Sequence, residues 1–506
     1  MRPQRTQNDD RQMLLRTRRD FIRQAACAAV GSIAISNTIR DFRFINSALA
    51  QASDPFANYK ALVCIFLSGG NDCNNFIIPR GSEYANYLGA RQNLAIPEAS
   101  LQNITPDNGD GRLYGFHPNC PELATLFAES KLATIFNVGP LLFPTTREQY
   151  QKRTVALPPQ LFSHSDQVTH WQTSLPDKPA DTGWGGRLAR ELFLDMTATQ
   201  RNNMAISLCT SIAGSNTFET ADTFGITLSG QDNSANVSKL KRYDVSTSGA
   251  VPINGVTGDR KTALLNIAKL NQANLQERAY GDLMERAISL GDTLTSAIAP
   301  TTDTGGSPPW TWTTAFPNTS LGNQLKMVAR LIAARNALGM KRQIFFCSVG
   351  GYDTHTAQVG ATTLVGSHAN LLNELSEAVF AFQRGVEQVA ANATYGGAGL
   401  AQGVVGFTAS DFGRTFPSNG QGSDHGWGSH HIVFGAGVKG KRTYGAFPAL
   451  VVNGPNDTST GRWIPTTSVD EYSATLASWF GLTSTDLPTV FPNVGRFNNP
   501  NLGFML

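Results

Sequence analysis

Four parts of the chain hold side chains that can do chemistry together. Gly350-Gly351-Tyr352-Asp353-Thr354-His355 sets an Asp and a His two residues apart. In extended chain such residues project to one side, so Asp353 and His355 can bind one metal ion, or Asp353 can simply hold the ring by hydrogen bond. Ser410-Asp411-Phe412-Gly413-Arg414-Thr415 and Asp424-His425-Gly426 offer a second carboxylate and imidazole set, ligand types suited to a divalent ion that activates a nucleophile. Arg414 can complement an anionic substrate or pair with Asp424. Phe66-Leu67-Ser68-Gly69-Gly70-Asn71-Asp72 ends an apolar run in a turn that presents Asp72, for which an ordinary Asp turn is the competing reading. Ser163-His164-Ser165-Asp166-Gln167 brings hydroxyls, an imidazole and a carboxylate into five residues, and helix capping by Ser165 or Asp166 accounts for part of that pattern.

Such groups act together only if something holds them at one place. Apolar, strand-like runs at 61–67, 132–138, 204–210, 343–349, 403–408 and 431–435 alternate with helical stretches. That alternation predicts an α/β protein with a largely parallel, doubly wound sheet and helices on both faces. In open sheets of this kind reacting groups gather beyond the carboxyl ends of the strands, and most of the eight histidines lie near such ends. Leu372, Leu375, Val379, Phe382 and Val386 mark one face of a helix over 366–391. From about 230 to 320 polar, Gly/Ser/Thr-rich segments bracket an amphipathic stretch, which reads as an inserted helical subdomain.

The chain of 506 residues is 41% hydrophobic and 16% charged, a globular composition. Its net charge of +3 comes from the first fifty residues, which carry +5, so the remainder is at −2. A near-neutral body excludes nucleic acid as an expected partner. Thr17-Arg18-Arg19-Asp20-Phe21-Ile22-Arg23, a weakly apolar run and Ala48-Leu49-Ala50 together resemble a twin-arginine export signal over 1–50. That implies the twin-arginine translocase as a partner during export and a periplasmic or secreted protein without a stable membrane span. Cleavage after Ala50 removes Cys27 and leaves five cysteines; an oxidised pair such as Cys73–Cys120 stays open.

The motifs F-L-x-G-G-x-D-x-x-N, S-H-x-D-Q, G-Y-D-T-H-x-x-Q, S-D-F-G-R-T and D-H-G-W-G, in this order from about residue 58 to 447, resemble the bacterial proteins grouped as domain of unknown function 1501. That family is similar to the alkaline phosphatase and sulfatase superfamily. The resemblance implies an alkaline-phosphatase-like sheet over 51–506 and metal ligands at Asp72, Asp353, His355, Asp411 and His425. It implies catalytic roles for Ser163, His164 and Arg414, with Ser163 the first choice of nucleophile and Ser165 or water the alternatives. The implied cofactor is a divalent ion, zinc first, with manganese, magnesium or calcium as alternatives. The chain departs from the superfamily in one notable way. Its phosphatases place a His after the later Asp, where this chain has Phe412, so His164, His430 or Asn75 must supply the missing ligand.

Other chemistries lack their signatures. Gly435-Ala436-Gly437-Val438-Lys439-Gly440 has dinucleotide spacing, but a poor helix follows it. No G-x-S-x-G elbow and no C/S-x-P-x-R sequence occurs. The expected function is an exported, metal-dependent hydrolase of phosphate or sulfate esters, acting on a small-molecule or polysaccharide ester. The alternative is a catalytically degenerate member of the fold that serves as a periplasmic or surface binding protein.

Overall fold

The structure is a computed structural model that describes residues 56–222, 243–247, 258–268, 270, 275–301 and 310–506. The export-signal segment lies outside the described residues, as do parts of the 230–320 segment. Within the latter, the described helices are Gly258–Ala268 and Leu275–Ile298.

Among the described residues nine strands form the main sheet: β1 (Lys60–Leu67), β2 (Leu132–Gly139), β3 (Cys209–Ser211), β4 (Tyr243–Asp244), β5 (Arg342–Val349), β6 (Val404–Ser410), β7 (Ser429–Phe434), β8 (Thr443–Tyr444) and β9 (Thr467–Ser468). The order is β8-β2-β7-β6-β1-β5-β3-β4, with β9 also pairing β2. Every pairing is parallel except those of β7, which is antiparallel to β2 and β6. The α/β, largely parallel sheet is therefore as the alternating pattern requires. All residues of β2, β6 and β7 are buried. Alternate strand residues point to opposite faces, so both faces of the sheet are covered there.

Two expectations are corrected. The run 204–210 yields only β3, because Met204–Leu208 reaches the sheet as irregular chain, with its Leu208 carbonyl accepting from the Ile344 N–H. Cys73 and Cys120 do not pair; all five described cysteines are buried free thiols, and these two face the carbonyls of Gly428 and Leu372.

The register puts the site in place. Leu67 of β1 lies level with Val349 of β5 and Ser410 of β6, so the segments starting at Ser68, Gly350 and Asp411 leave one edge together. β7 runs back from that edge, which brings Asp424 and His425 to it as well. Helix His164–Thr173, with Ser163 as its N-cap, delivers His164 from the chain that follows β2.

Candidate metal centre

The turn after β1 sets the floor. Gly69 (φ +116°) and Gly70 (φ +86°) occupy backbone conformations that side-chain-bearing residues avoid. A Cβ on Gly69 would lie 2.4 Å from the Asp353 nitrogen, and one on Gly70 2.5 Å from the Phe412 ring. Only glycines let this turn pass beneath the β5 and β6 loops.

Three imidazoles stand above it, each tied at Nδ1 to an oxygen. His164 Nδ1 is 2.7 Å from Asp411 Oδ2, His355 Nδ1 is 3.0 Å from Asp424 Oδ1, and His425 Nδ1 is 2.8 Å from the Phe162 carbonyl. With Nδ1–H donated in this way, each Nε2 presents a lone pair, the arrangement that prepares histidines for metal ions. These Nε2 atoms converge on Asp353. His164 Nε2 lies 3.5 Å from its Oδ2, and the Nε2 atoms of His355 and His425 lie 3.2 and 3.3 Å from its Oδ1. The ligand atoms of His164, Asp353 and His425 all fall within 4.8 Å of one another. His164 Nε2 is buried without a hydrogen-bond partner among the described residues.

That donor set fits a transition-type divalent ion. Bonds of about 2.0–2.1 Å to nitrogen and oxygen in a tetrahedron separate the ligands by about 3.3 Å; here His425 Nε2 lies 3.3 Å from Asp353 Oδ1, His164 Nε2 lies 3.5 Å from the other oxygen, Oδ2, and one ligand atom from each of the three residues falls within 4.8 Å of the others. Three protein ligands leave a position for a reactant. His355 Nε2 lies 2.8 Å from His425 Nε2, so the third ring stands directly against the same group of ligand atoms.

The remaining candidates take other places. The Asp411 side chain is only 2% exposed against 44% for Asp353; its second oxygen accepts from the Gly69 N–H at 3.1 Å. Burial raises the Asp411 carboxyl, with His164 and the Gly69 N–H opposing. Burial also works to raise Asp353, but the hydrogen bond and charge of Arg414 outweigh it and hold that carboxyl low. Asp72 is fully buried in an ion pair with Arg91 and accepts from Gln358, so its carboxylate is not among the converging atoms. Gln358 also accepts from Ser423 Oγ at 2.7 Å, and the Ser423 carbonyl accepts from Arg414. Arg414 is buried, with its Nη1 2.7 Å from Asp353 Oδ1 and 3.2 Å from the Gly69 carbonyl. It pairs with Asp353 and not Asp424. Arg187 is likewise engaged by the backbone, donating to the carbonyls of Thr173, Thr182 and Val490.

Phe412, the residue that replaces an expected His, is a packing element. Its ring centroid is 4.8 Å from that of His164 and 4.6 Å from that of His425. Of the three substitutes, His164 reaches the centre. His430 accepts from the Asn137 N–H at 3.0 Å, and Asn75 bonds Leu94, Tyr87 and Arg91. Ser163 donates to Asp166 Oδ2 at 2.6 Å and lies 3.2 Å from Ser165 Oγ. Two contributors stand outside the residues expected from the sequence: Gln358, whose signal is the Gln of G-Y-D-T-H-x-x-Q, and the Phe162 carbonyl, a backbone group that leaves no sequence signal.

Fold and centre together define an open-sheet α/β protein with a polar His/Asp cluster at the strand-end edge. The chain belongs to the family described as "Protein of unknown function (DUF1501)", whose sequence model matches residues 59–459. No curated protein matches the chain. Among solved structures, one described as "Ps i-CgsB" is 10% identical, covering 88% of this chain and 77% of that chain, with a TM-score of 0.31. The phosphonate monoester hydrolase of Agrobacterium radiobacter is 10% identical, covering 84% of this chain and 74% of that chain, with a TM-score of 0.29. No helix among the described residues is long and apolar enough to cross a membrane.

Proposed function

We propose that this protein is a metal-dependent hydrolase of phosphate or sulfate esters. The observation that carries the reading is the convergence of His164 Nε2, His425 Nε2 and the Asp353 carboxylate, with both rings already fixed at Nδ1. Zinc suits this mixed imidazole and carboxylate set best; manganese, magnesium or calcium are the alternatives. A divalent ion there supplies Lewis-acid polarisation of an ester oxygen and acidifies a water or hydroxyl.

The chain's own residues would do the rest. His164, Asp353 and His425 bind; Asp411 and the Phe162 carbonyl hold the two rings in the binding tautomer; Arg414 keeps Asp353 ionised. His355, tied to Asp424 at 3.0 Å, stands beside the centre with its Nε2 3.2 Å from Asp353 Oδ1, within reach of the same ion. Ser163 remains the first choice of nucleophile, with Asp166 Oδ2 as the acceptor for its proton. Phe412 excludes water from beneath the rings.

Export through the twin-arginine translocase to the periplasm or beyond is part of the same proposal and rests on Thr17–Arg23 and Ala48–Ala50 in the sequence. The test is metal content of chelator-free protein, followed by turnover of aryl phosphate, phosphodiester and sulfate esters by wild type and Ser163→Ala. About one equivalent of metal, lost in His425→Ala, and turnover by wild type support the reading. Absence of metal, or metal without turnover of any ester, overturns the hydrolase reading and returns the protein to the binding-protein alternative.

A further inference from the structure

An ester oxyanion needs a cation, and Arg414, Arg91 and Arg187 are each already engaged by groups of the protein. Arg414 is engaged by Asp353, the Gly69 carbonyl and the Ser423 carbonyl. Arg91 is engaged by Asp72, and Arg187 by three carbonyls. Around the three imidazoles stand the carboxylates of Asp353, Asp411 and Asp424, which a divalent ion and Arg414 together only neutralise.

Arg462 stands differently. Its Nε donates to the His425 carbonyl at 2.8 Å, and its guanidinium carbon lies 4.2 Å from the centroid of the Phe162 ring. It therefore rests against both residues of the His425–Phe162 hydrogen bond that orients a metal-binding ring. The side chain is half-buried, and its two terminal nitrogens donate to no protein group among the described residues. Its backbone is fixed by Asp457, a fully buried carboxylate whose Oδ1 accepts from the N–H groups of Ser459, Gly461 and Arg462. A planar cation stacked on an aromatic face, held at one edge and open at the other, is pre-organised for bidentate contact with an oxyanion.

We propose that Arg462 binds the oxyanion of the ester substrate at this centre. The inference deepens the hydrolase reading and uses its site, so the two need separable tests.

The probe is inorganic phosphate, titrated calorimetrically into the full chain with and without zinc, for wild type, Arg462→Gln and Arg462→Lys; zinc affinity is measured on the same proteins. The expected result is phosphate binding by wild type, weakened about tenfold or more in Arg462→Gln. The lysine variant should fall in between, since it keeps charge but loses the fork. Zinc affinity should be unchanged. Equal phosphate affinity in wild type and Arg462→Gln, or no phosphate binding by wild type, overturns the proposal. Loss of zinc in Arg462→Gln also overturns it, because Arg462 would then act by positioning His425. If wild type takes up no zinc yet still loses phosphate affinity on the glutamine substitution, the hydrolase reading fails and the oxyanion site stands.

Discussion

Asp411 meets His164 at 2.7 Å through Nδ1, on the side of the ring away from Asp353. The carboxylate therefore acts on an ion through the imidazole. Asp411→Asn should weaken zinc binding about 10–100-fold and leave a measurable site, whereas His164→Ala should abolish high-affinity uptake. Competition against a chromogenic chelator distinguishes the two; complete loss in Asp411→Asn would make Asp411 a direct ligand.

Asp72 gives the opposite signature. Removing its charge leaves Arg91 buried without its ion-pair partner, and breaking such a pair costs about 3–5 kcal/mol. Asp72→Asn should lower the denaturation midpoint strongly while the folded fraction keeps wild-type zinc affinity. A variant of normal stability that loses zinc would restore Asp72 as a ligand.

Phe412 is buried with 0% exposure between two imidazoles and Gly70. Phe412→Ala should destabilise by about 3–5 kcal/mol and also weaken zinc binding, since both rings lose their shared support. Phe412→Leu, which refills most of the volume, should recover most of the stability. Equal zinc affinity in all three proteins would show that the ring supports no geometry.

The pH dependence of stability has two parts. Burial lowers His117, His430 and His431 to about 3 and His368 to about 4, below the ordinary value near 6.5. The unfolded chain then binds more protons, so stability is held above about pH 6.5 and lost as pH falls toward 3, on the order of 1.4 kcal/mol per unit and per histidine. Burial raises Asp470 to about 7, which acts in reverse: the folded state holds a proton that the unfolded state gives up, and stability declines as pH rises from about 4 to 7. Urea denaturation at pH 4.5, 6 and 8 should show the acid loss, and Asp470→Asn should gain stability at pH 8 relative to wild type. No gain would place a compensating partner on Asp470.

Much of this was legible in the sequence. Continuous apolar runs gave β1, β2, β5, β6 and β7 to within about two residues, because strands buried on both faces carry no polar alternation. The helix Ser367–Ala391 followed from its repeat. The antiparallel direction of β7 was not legible, since a run of apolar residues reads the same both ways; the direction is set by the turn through 411–428. For the candidate centre, the Asp353, His355 and His425 segments stood out by residue type. Asp72 and Asp411 have the same residue type as Asp353, and only burial and partners separate the three. Arg462 and the Phe162 carbonyl carried no motif, because their relation to His425 exists only across the folded chain.

The meeting of His164 with residues from the loops after β5 and β6 has a consequence for biogenesis. A chain emerging from the ribosome cannot assemble this cage until it has been synthesised past His425 and β7 has closed against β2. Ion uptake should therefore report closure of this part of the sheet, and a truncated chain ending before residue 425 should lack the high-affinity site even where its earlier strands have paired.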